Sequence, residues 1–325
     1  MMMADSACSV ASGAAVWQQV VPVVEQVPLA RDTYRLRLRV PEMARTVRPG
    51  QFFMIRAPHT TQPLLGRPFA LYDTWLDAAG QPAGIDVVYL VVGAMTRLMS
   101  TWTGGTQVEL WGPLGNGFPR VEAERLVMVA GGIGNTPFPA VARQALGLRR
   151  YGPHDAADSN WSPLTRDRIT FCYGTRSAEY LAGVDEFQSM GIDVHLATDD
   201  GSQGHKGFVT DLVSRILQAS EKNHGRGAGT PDVESGSSHG HPAHSSSATE
   251  RMRIYCCGPE PMMHAVAKLA AAHAVPCWLS LETPMACGFG ACFSCVTRVR
   301  QEDGTWDYRR TCVEGPIFPA DRLAW

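Results

Sequence analysis

The sequence lacks an excess of basic residues, and it lacks long apolar runs. Its 29 Lys and Arg residues are offset by 31 Asp and Glu residues, giving a formal net charge of -2. Nucleic acid and anionic lipid attract basic surfaces, so neither partner is predicted. No stretch approaches the roughly 20 consecutive apolar residues that span a bilayer, and the first residues lack the basic start and apolar run of a signal peptide. We expect a soluble, cytoplasmic protein with no nucleic-acid or membrane partner.

Cysteine is sparse over most of the chain and concentrated in one stretch. Four of the nine cysteines lie from Cys287 to Cys312, near the end of the 325 residues. In a reducing compartment, an odd number with uneven clustering indicates metal or redox chemistry before disulfide bonds. The other cysteines lie mostly in or beside apolar strands, where cysteine usually acts as a small hydrophobic side chain.

The pattern of the sequence changes along the chain and predicts several domains. After a tail at 1–15, residues 16–120 contain short alternating strands separated by Pro and Gly turns, which predicts an antiparallel β-barrel. Residues 121–278 alternate buried-type strands with helical stretches, which predicts an α/β domain with a parallel sheet. Residues 279–325 form a small C-terminal domain around the clustered cysteines.

Two stretches are predicted to interrupt the α/β domain. Residues 151–167 have the composition of a surface insertion. Residues 220–250 are rich in Ser, Gly and His and have almost no apolar content, so we expect a disordered loop. The histidines of this loop can bind metal, but a flexible polar tract gives them no fixed geometry.

The clustered cysteines have the spacing C-x4-C-x2-C-x16-C, formed by Cys287, Cys292, Cys295 and Cys312. This is the plant-type ferredoxin pattern of a [2Fe-2S] cluster. The small residues Gly288, Gly290, Ala291 and Ser294 let the backbone curl round the cluster, and Phe289 and Phe293 are expected to shield it from water. Structural zinc usually pairs two C-x2-C knuckles, so it is a weaker alternative, and four unligated buried thiols are weaker still.

Three glycine-containing turns follow predicted strands of the α/β domain. They lie in "VMVAGGIGNTPF", "FCYGTRS" and "CCGPEPMM". Ligands bind along the carboxyl edge of open parallel sheets, and glycine lets the backbone approach a pyrophosphate. One such turn alone needs glycine with or without a ligand, but three on one edge predict a dinucleotide site. Arg176 is a candidate for a 2′-phosphate, although no other basic residue lies beside it, so the choice between NAD and NADP stays open.

Arg67 stands within the apolar segment "PLLGRPFALYD" of the predicted barrel. An arginine there is costly to bury unless it meets an anion, and its planar fork suits a diphosphate. A surface salt bridge at a strand end explains it equally well.

Six segments together resemble a known family. They are "GRPFAL", "VVYLVVGAMTRLMS", "GPLGNGF", "VAGGIGNTPF", "CCGPEPMM" and "SLETPMACGFGACFSCV" with the following "RRTCVEGPIF". Their order resembles the electron-transfer subunit of NAD-dependent (class 1B) dihydroorotate dehydrogenase, a branch of the ferredoxin reductase superfamily. The resemblance implies an FAD-binding β-barrel, an NAD-binding α/β domain and a small C-terminal [2Fe-2S] domain.

The resemblance also implies site residues, and it leaves the catalytic residues unknown. The residues implied at FAD are Arg67, Pro68, Phe69, Ala70, Val88, Tyr89, Leu90, Met95 and Thr96. Those implied at NAD are Gly131, Gly132, Gly134, Thr136, Gly174, Cys257, Gly258, Pro259 and Met262, and those at the cluster are Cys287, Cys292, Cys295 and Cys312. The chain departs from the family at Ala70, where a hydroxyl is usual, at Met95, where glycine is common, and at Leu90, where a basic residue is common.

The implied function is electron transfer in pyrimidine (UMP) biosynthesis. A flavin is needed because NAD takes a hydride while a cluster carries one electron. In the resembled enzyme, a separate FMN-containing catalytic subunit oxidises dihydroorotate, and electrons then pass through the cluster and FAD to NAD. The implied assembly is a heterotetramer with two subunits of each type. The alternatives are a reductase serving a hydrogenase, an oxygenase or a transhydrogenase, and a non-enzymatic zinc-binding regulatory protein.

Overall fold

The computed structural model describes residues 8–9, 15–58, 60–153, 161–225 and 252–325. The first half contains β1 (Cys8–Ser9), β2 (Ala15–Ala30), β3 (Thr33–Leu38), α1 (Pro41–Thr46), β4 (Phe52–Arg56), β5 (Arg67–Leu76), β6 (Pro82–Leu90), α2 (Ala94–Met99) and β7 (Gln107–Leu114). Strands β2-β3-β6-β5-β4-β7 pair antiparallel in that order, and β2 also pairs with β7, which closes a six-stranded barrel. Period-two burial in β3, with Leu36 and Leu38 fully buried beside half-buried arginines, turns the apolar face to the barrel core.

The second half builds a mostly parallel sheet with helices. Its elements are β8 (Arg125–Gly131), α3 (Phe138–Ala145), β9 (Ile169–Thr175), α4 (Val184–Ser189), β10 (Asp193–Thr198), β11 (His205–Lys206), α5 (Val209–Gly225), β12 (Met252–Cys257), α6 (Glu260–Ala272) and β13 (Cys277–Ser280). The strand order is β11-β10-β9-β8-β12-β13, with parallel pairing throughout. In chain order, β9, β10 and β11 are added on one side of β8, and β12 and β13 are added on the other side. The sheet therefore has a topological switch point between β8 and β12.

The C-terminal segment contains the hairpin β14 (Val296–Arg300) and β15 (Trp306–Arg310), followed by β16 (Ile317–Pro319). Strand β16 pairs antiparallel with β13 and so joins the second sheet. The Asn116 side chain, which follows β7, accepts from the Ile317 N–H at 2.9 Å and donates to the Ile317 carbonyl at 2.8 Å. The segment is therefore tied both to the second sheet and to the end of the barrel.

The structure confirms the predicted fold class and changes some details. Residues 220–225, predicted to belong to a disordered loop, continue helix α5, and the rest of that loop lies outside the described residues. Tyr151, expected in a surface insertion, is buried against the barrel, where its hydroxyl donates to Asp73 at 2.5 Å. Among the described residues, none of the helices combines the length and the apolar character needed to cross a bilayer.

Candidate functional site

The loop that carries three of the clustered cysteines curls tightly between β13 and β14. Gly288, Gly290 and Phe293 have φ angles of 82°, 88° and 56°. These values lie in the left-handed region, which glycine adopts readily and other residues adopt rarely. A Cβ on Gly290 would lie 2.7 Å from Val313 Cγ2, so glycine is also required by the close approach of the chain. The predicted backbone curl is thus present.

The four clustered thiols lie near one another. Cys292 shares a 3.1 Å hydrogen bond with the Ser294 hydroxyl, and hydrogen bonding to Ser294 and then to Cys287 lowers the pKa of Cys292 to about 6. Burial, and then the neighbouring thiols of Cys295 and Cys287, raise the pKa of Cys312. Cys287 therefore lies near both Cys292 and Cys312, and Cys295 lies near Cys312.

This arrangement tests which metal group the cysteines fit. In the described part of the chain, no three His, Cys, Asp or Glu side chains surround one point in a way that would hold a single ion. Structural zinc takes four ligands at one ion, whereas a [2Fe-2S] cluster distributes four thiolates over two irons. Four neighbouring thiols, no three of which surround one point in the described chain, fit the two-iron group better than zinc.

One side of the cysteine loop is buried and the other faces solvent. Cys295 and Cys312 are 1% and 2% exposed, and they pack with Phe52, Met54 and Leu114 of the barrel in one apolar cluster. Cys287 is half-buried and Cys292 is exposed. The loop thus presents Cys295 and Cys312 to the protein interior and Cys292 to the surface.

The expectation that Phe289 and Phe293 shield the cysteines from water is wrong for this chain, because their side chains are 50% and 64% exposed. The Phe293 ring instead lies under the Arg310 guanidinium, 5.2 Å from the ring centre. Arg310 also donates to the Gly290 carbonyl at 3.3 Å and pairs with Glu314 at 3.2 Å. Arg310, on β15, therefore holds the loop in place through its contacts with Gly290 and Phe293.

The barrel contacts the cysteine loop directly through Trp111 and Met54. The Trp111 indole N–H donates to the Cys287 carbonyl at 2.9 Å. Met54 packs so closely on the loop that a Cβ on Gly288 would lie 2.6 Å from Met54 Cγ. Met54 is the cross-strand partner of Pro68, which lies in the predicted flavin segment, residues 67–70. Neither contact was predictable from the sequence, because the partners are distant along the chain.

The glycine turns after β8 and β12 pack against each other at the switch point of the second sheet. A Cβ on Gly134 would lie 2.3 Å from the Cys257 carbonyl oxygen, and one on Gly131 would lie 2.5 Å from Met262 Sδ. Both glycines are therefore required by packing alone. Gly132 differs, because its φ is 54° and a Cβ there would meet nothing within 4 Å. Its backbone borders open space in the crevice where open α/β sheets bind nucleotides.

The other residues implied at NAD lie along the same carboxyl edge. Gly174 is near the end of β9, and Cys257, Gly258, Pro259 and Met262 form the turn from β12 into α6. Thr136 is buried between the first glycine turn and α3. Arg176 is exposed just beyond β9. The structure brings the turns after β8 and β12 into contact and places Gly174 one strand away.

The residues implied at FAD lie on β5, β6 and α2. Arg67 is exposed at the start of β5, and its guanidinium donates only to the Leu65 and Gly66 carbonyls, each at 3.0 Å, among the described residues. No acidic side chain of the described chain neutralises it, so it fits an anionic ligand. The residues that follow Arg67 are less exposed: Pro68 and Ala70 are half-buried, and Phe69 is buried.

The residues implied on β6 and α2 are mostly engaged inside the barrel. Tyr89 is buried and its hydroxyl donates to Gln26 Oε1 at 2.8 Å. The Thr96 hydroxyl accepts from the Val92 N–H at 2.9 Å, which fixes the start of α2. Val88 and Met95 are buried, and Leu90 is half-buried.

A buried polar network joins the barrel to the second sheet. Asp73 on β5 accepts from Arg149 at 2.7 Å and pairs with Arg143 on α3 at 3.1 Å. Arg143 also donates to Glu186 on α4 at 3.0 Å, and Glu186 accepts from the Tyr72 hydroxyl at 2.9 Å. Helix α3 follows the first glycine turn, and Tyr72 and Asp73 follow the predicted flavin segment. The network therefore fixes these two candidate sites relative to each other.

The barrel, the switched parallel sheet and the cysteine loop define a ferredoxin-reductase-type fold with an added iron–sulfur segment. The fold matches the solved structure of an NADH-dependent reduced ferredoxin-NADP oxidoreductase with a TM-score of 0.69 and 24% identity, covering 94% of this chain and 90% of that one. The family model for the iron–sulfur cluster binding domain of dihydroorotate dehydrogenase B matches residues 282–324.

Whole-chain relatives define the family more closely. The electron transfer subunit of dihydroorotate dehydrogenase B (NAD(+)) from Shouchella clausii is 31% identical, over 93% of this chain and 96% of that one. The subunit of the same name from Clostridium perfringens is 32% identical, over 91% and 94%. The chain belongs to the family of electron transfer subunits of NAD-dependent dihydroorotate dehydrogenase B.

Proposed function

We propose that this chain carries electrons from a dihydroorotate-oxidising catalytic subunit to NAD+, in pyrimidine biosynthesis. The observation that carries the proposal is the direct contact of the cysteine loop with the barrel at Trp111 and Met54. Met54 is itself the cross-strand partner of Pro68 in the flavin segment, so the loop contacts the strand next to that segment. A one-electron site and a flavin site therefore adjoin, as transfer between them requires.

The bound groups supply the redox chemistry, since a flavin exchanges hydride with nicotinamide and single electrons with an iron–sulfur cluster. The residues of the chain bind and orient these groups. Arg67 offers an unneutralised guanidinium to the FAD pyrophosphate. Gly132 would leave the backbone open to the NAD pyrophosphate, and the four clustered thiols would hold the cluster.

The remaining assignments follow from the same proposal. The FAD domain is residues 16–120, the NAD domain 121–278 and the cluster domain 279–325. The site residues are those named for FAD, NAD and the cluster above. The partner is the catalytic subunit, in an assembly of two chains of each type, and the location is the cytoplasm, where thiols stay reduced and available to iron.

The test is a visible absorption spectrum of the anaerobically purified chain before and after NADH addition, together with iron and sulfide analysis. We expect flavin bands with a long-wavelength shoulder, both bleached by NADH, and about two irons and two sulfides per chain. Zinc in place of iron, or a flavin that NADH does not bleach, would contradict the proposal. Co-purification with a dihydroorotate-oxidising chain, compared with other redox partners, then tests the assigned partner.

A further inference from the structure

Trp111 lies between the flavin segment and the cysteine loop. We propose that Trp111 is a positioning residue that fixes Cys287 relative to the flavin-binding strand, and so sets the rate of electron exchange between flavin and cluster. This inference rests on the proposed function. It adds a residue of β7 to a site otherwise built from β5 and the cysteine loop.

The indole contacts both sides at once. Its N–H donates to the Cys287 carbonyl at 2.9 Å, across 176 positions of sequence. On the other side, its six-membered ring lies against Gly66, where a Cβ would be only 2.6 Å from Cη2. Gly66 immediately precedes Arg67, so one rigid side chain joins the backbone before the flavin segment to the first cluster cysteine.

The surroundings hold the indole in place. Met54 on β4 pairs with Trp111 on one side and with Pro68 on the other. The Arg56 guanidinium lies 5.9 Å from the centre of the indole ring and bonds to Glu109 at 2.7 Å. Trp111 is thus fixed by the strand pairing and by Arg56, and its N–H has a defined direction.

The N–H matters because groups outside the ligand shell orient the ligands. Removing such a partner typically costs about 10- to 100-fold in metal affinity or activity. Without the indole N–H, the Cys287 peptide loses its bond to the barrel. We expect Cys287, and with it the neighbouring Cys292, to shift relative to β5.

The experiment compares Trp111→Phe with Trp75→Phe in the flavin- and cluster-loaded chain. Trp75 is a matched control, because its indole N–H also donates to a backbone carbonyl, that of Leu38 at 3.1 Å, and Arg37 also lies over its ring. In anaerobic stopped flow, NADH gives up a hydride with two electrons. The cluster gains one through the flavin, and the other remains on the flavin.

The measured quantities are the ratio of the cluster-reduction rate to the flavin-reduction rate, and the midpoint potential of the cluster. We expect Trp111→Phe to lower the ratio about tenfold and to shift the potential, while Trp75→Phe keeps both at the wild-type values. A Trp111→Phe variant with the wild-type ratio and potential would overturn the inference. A wild-type chain that NADH cannot reduce would instead contradict the proposed function.

Replacement of Trp111 by benzothienylalanine covers the case in which Trp111→Phe does not fold. That residue keeps the size and shape of tryptophan but has sulfur in place of the N–H. A lower ratio with this residue supports the inference, and a wild-type ratio overturns it.

Discussion

The Tyr72 hydroxyl on the barrel donates to the Glu186 carboxylate on helix α4 at 2.9 Å. Burial, and then the charge of Glu186, raise the pKa of Tyr72 well above its ordinary value of 10, so the phenol stays a neutral donor. The bond is one end of a buried network that continues through Arg143 to Asp73. This network connects β5, which begins with the predicted flavin residues, to the helix after the first glycine turn, and so links the two candidate nucleotide sites.

Asp73→Asn tests the network. Asp73 is 7% exposed and faces Arg143 and Arg149, so its loss removes the carboxylate that Arg149 pairs with and leaves Arg143 with Glu186 alone. We expect the free energy of unfolding to fall by about 3–5 kcal/mol and flavin reduction by NADH to slow. Urea unfolding and stopped flow measure the two effects. The control is Asp185→Asn on the exposed side of α4, expected to cost under about 1 kcal/mol, and equal losses in both variants would contradict the prediction.

Gly132→Ala separates a ligand role from a packing role in the first glycine turn. Gly132 and Gly80 both have positive φ, 54° and 74°, and both face open space. Each alanine variant should therefore lose about 1–2 kcal/mol of stability from backbone strain. Only Gly132→Ala should raise the KM for NADH, by about tenfold, because its methyl group enters the crevice. Equal KM values in the two variants would show that Gly132 does not face the nucleotide.

Arg67→Gln tests the flavin segment. Hydrogen bonds to a charged partner contribute about 1.5–3 kcal/mol, so the Kd for FAD should rise roughly 10- to 150-fold. Arg39→Gln is the control, since Arg39 is an exposed barrel arginine that lies over the Trp75 ring. Flavin titration of the apoprotein measures both variants. Unchanged FAD affinity in Arg67→Gln would show that Arg67 does not bind FAD and is an ordinary surface residue.

Cys312→Ser tests the cluster assignment. Cys312 is 2% exposed and lies near Cys295, so a hydroxyl there would replace one of the four proposed thiolate ligands. We expect iron per chain to fall at least about tenfold, with the flavin retained. Cys277→Ala removes another buried cysteine, on β13, and should keep the iron. Iron retained in Cys312→Ser would remove Cys312 from the ligand set.

The buried thiol of Cys172 makes stability depend on pH. Burial raises the pKa of Cys172 from 9 to about 12. A folded-state pKa above the unfolded value adds stability that is complete below pH 9 and is lost between pH 9 and 12, by about 1.4 kcal/mol at pH 10. The stability gap between the wild-type chain and Cys172→Ala should therefore shrink by that amount from pH 8 to 10. Val129→Ala alters the strand neighbour of Cys172 and keeps the thiol, so its stability difference from the wild-type chain should be the same at pH 8 and pH 10. A stability difference that does not change with pH in either variant would refute the pH effect.

The sequence predicted the features whose residues lie close together along the chain. The cysteine spacing anticipated that the four thiols lie near one another, and the segment around Gly132 anticipated an open turn at a strand end. Such signals are readable because spacing and turn chemistry are local. They also sufficed for the fold class, since alternating strands and strand–helix repeats have distinct periods.

The contacts that join these sites were not predictable in the same way. Trp111 and Cys287 are 176 positions apart, and Tyr72 and Glu186 are 114 apart. Neither pair follows a periodic pattern, so only the folded chain reveals it. The shielding expected of Phe293 failed for a related reason, because composition near a loop does not tell which way a side chain points.

Strand β16 makes the cysteine loop part of the main body of the molecule. The chain leaves the second sheet at β13, forms the loop and the hairpin, and returns to pair with β13, while Asn116 clamps the returning strand. The loop is therefore anchored at both ends and is not carried on a swinging arm. Electron exchange with the barrel then needs no diffusive domain motion, so its rate should not depend on the viscosity of the solvent.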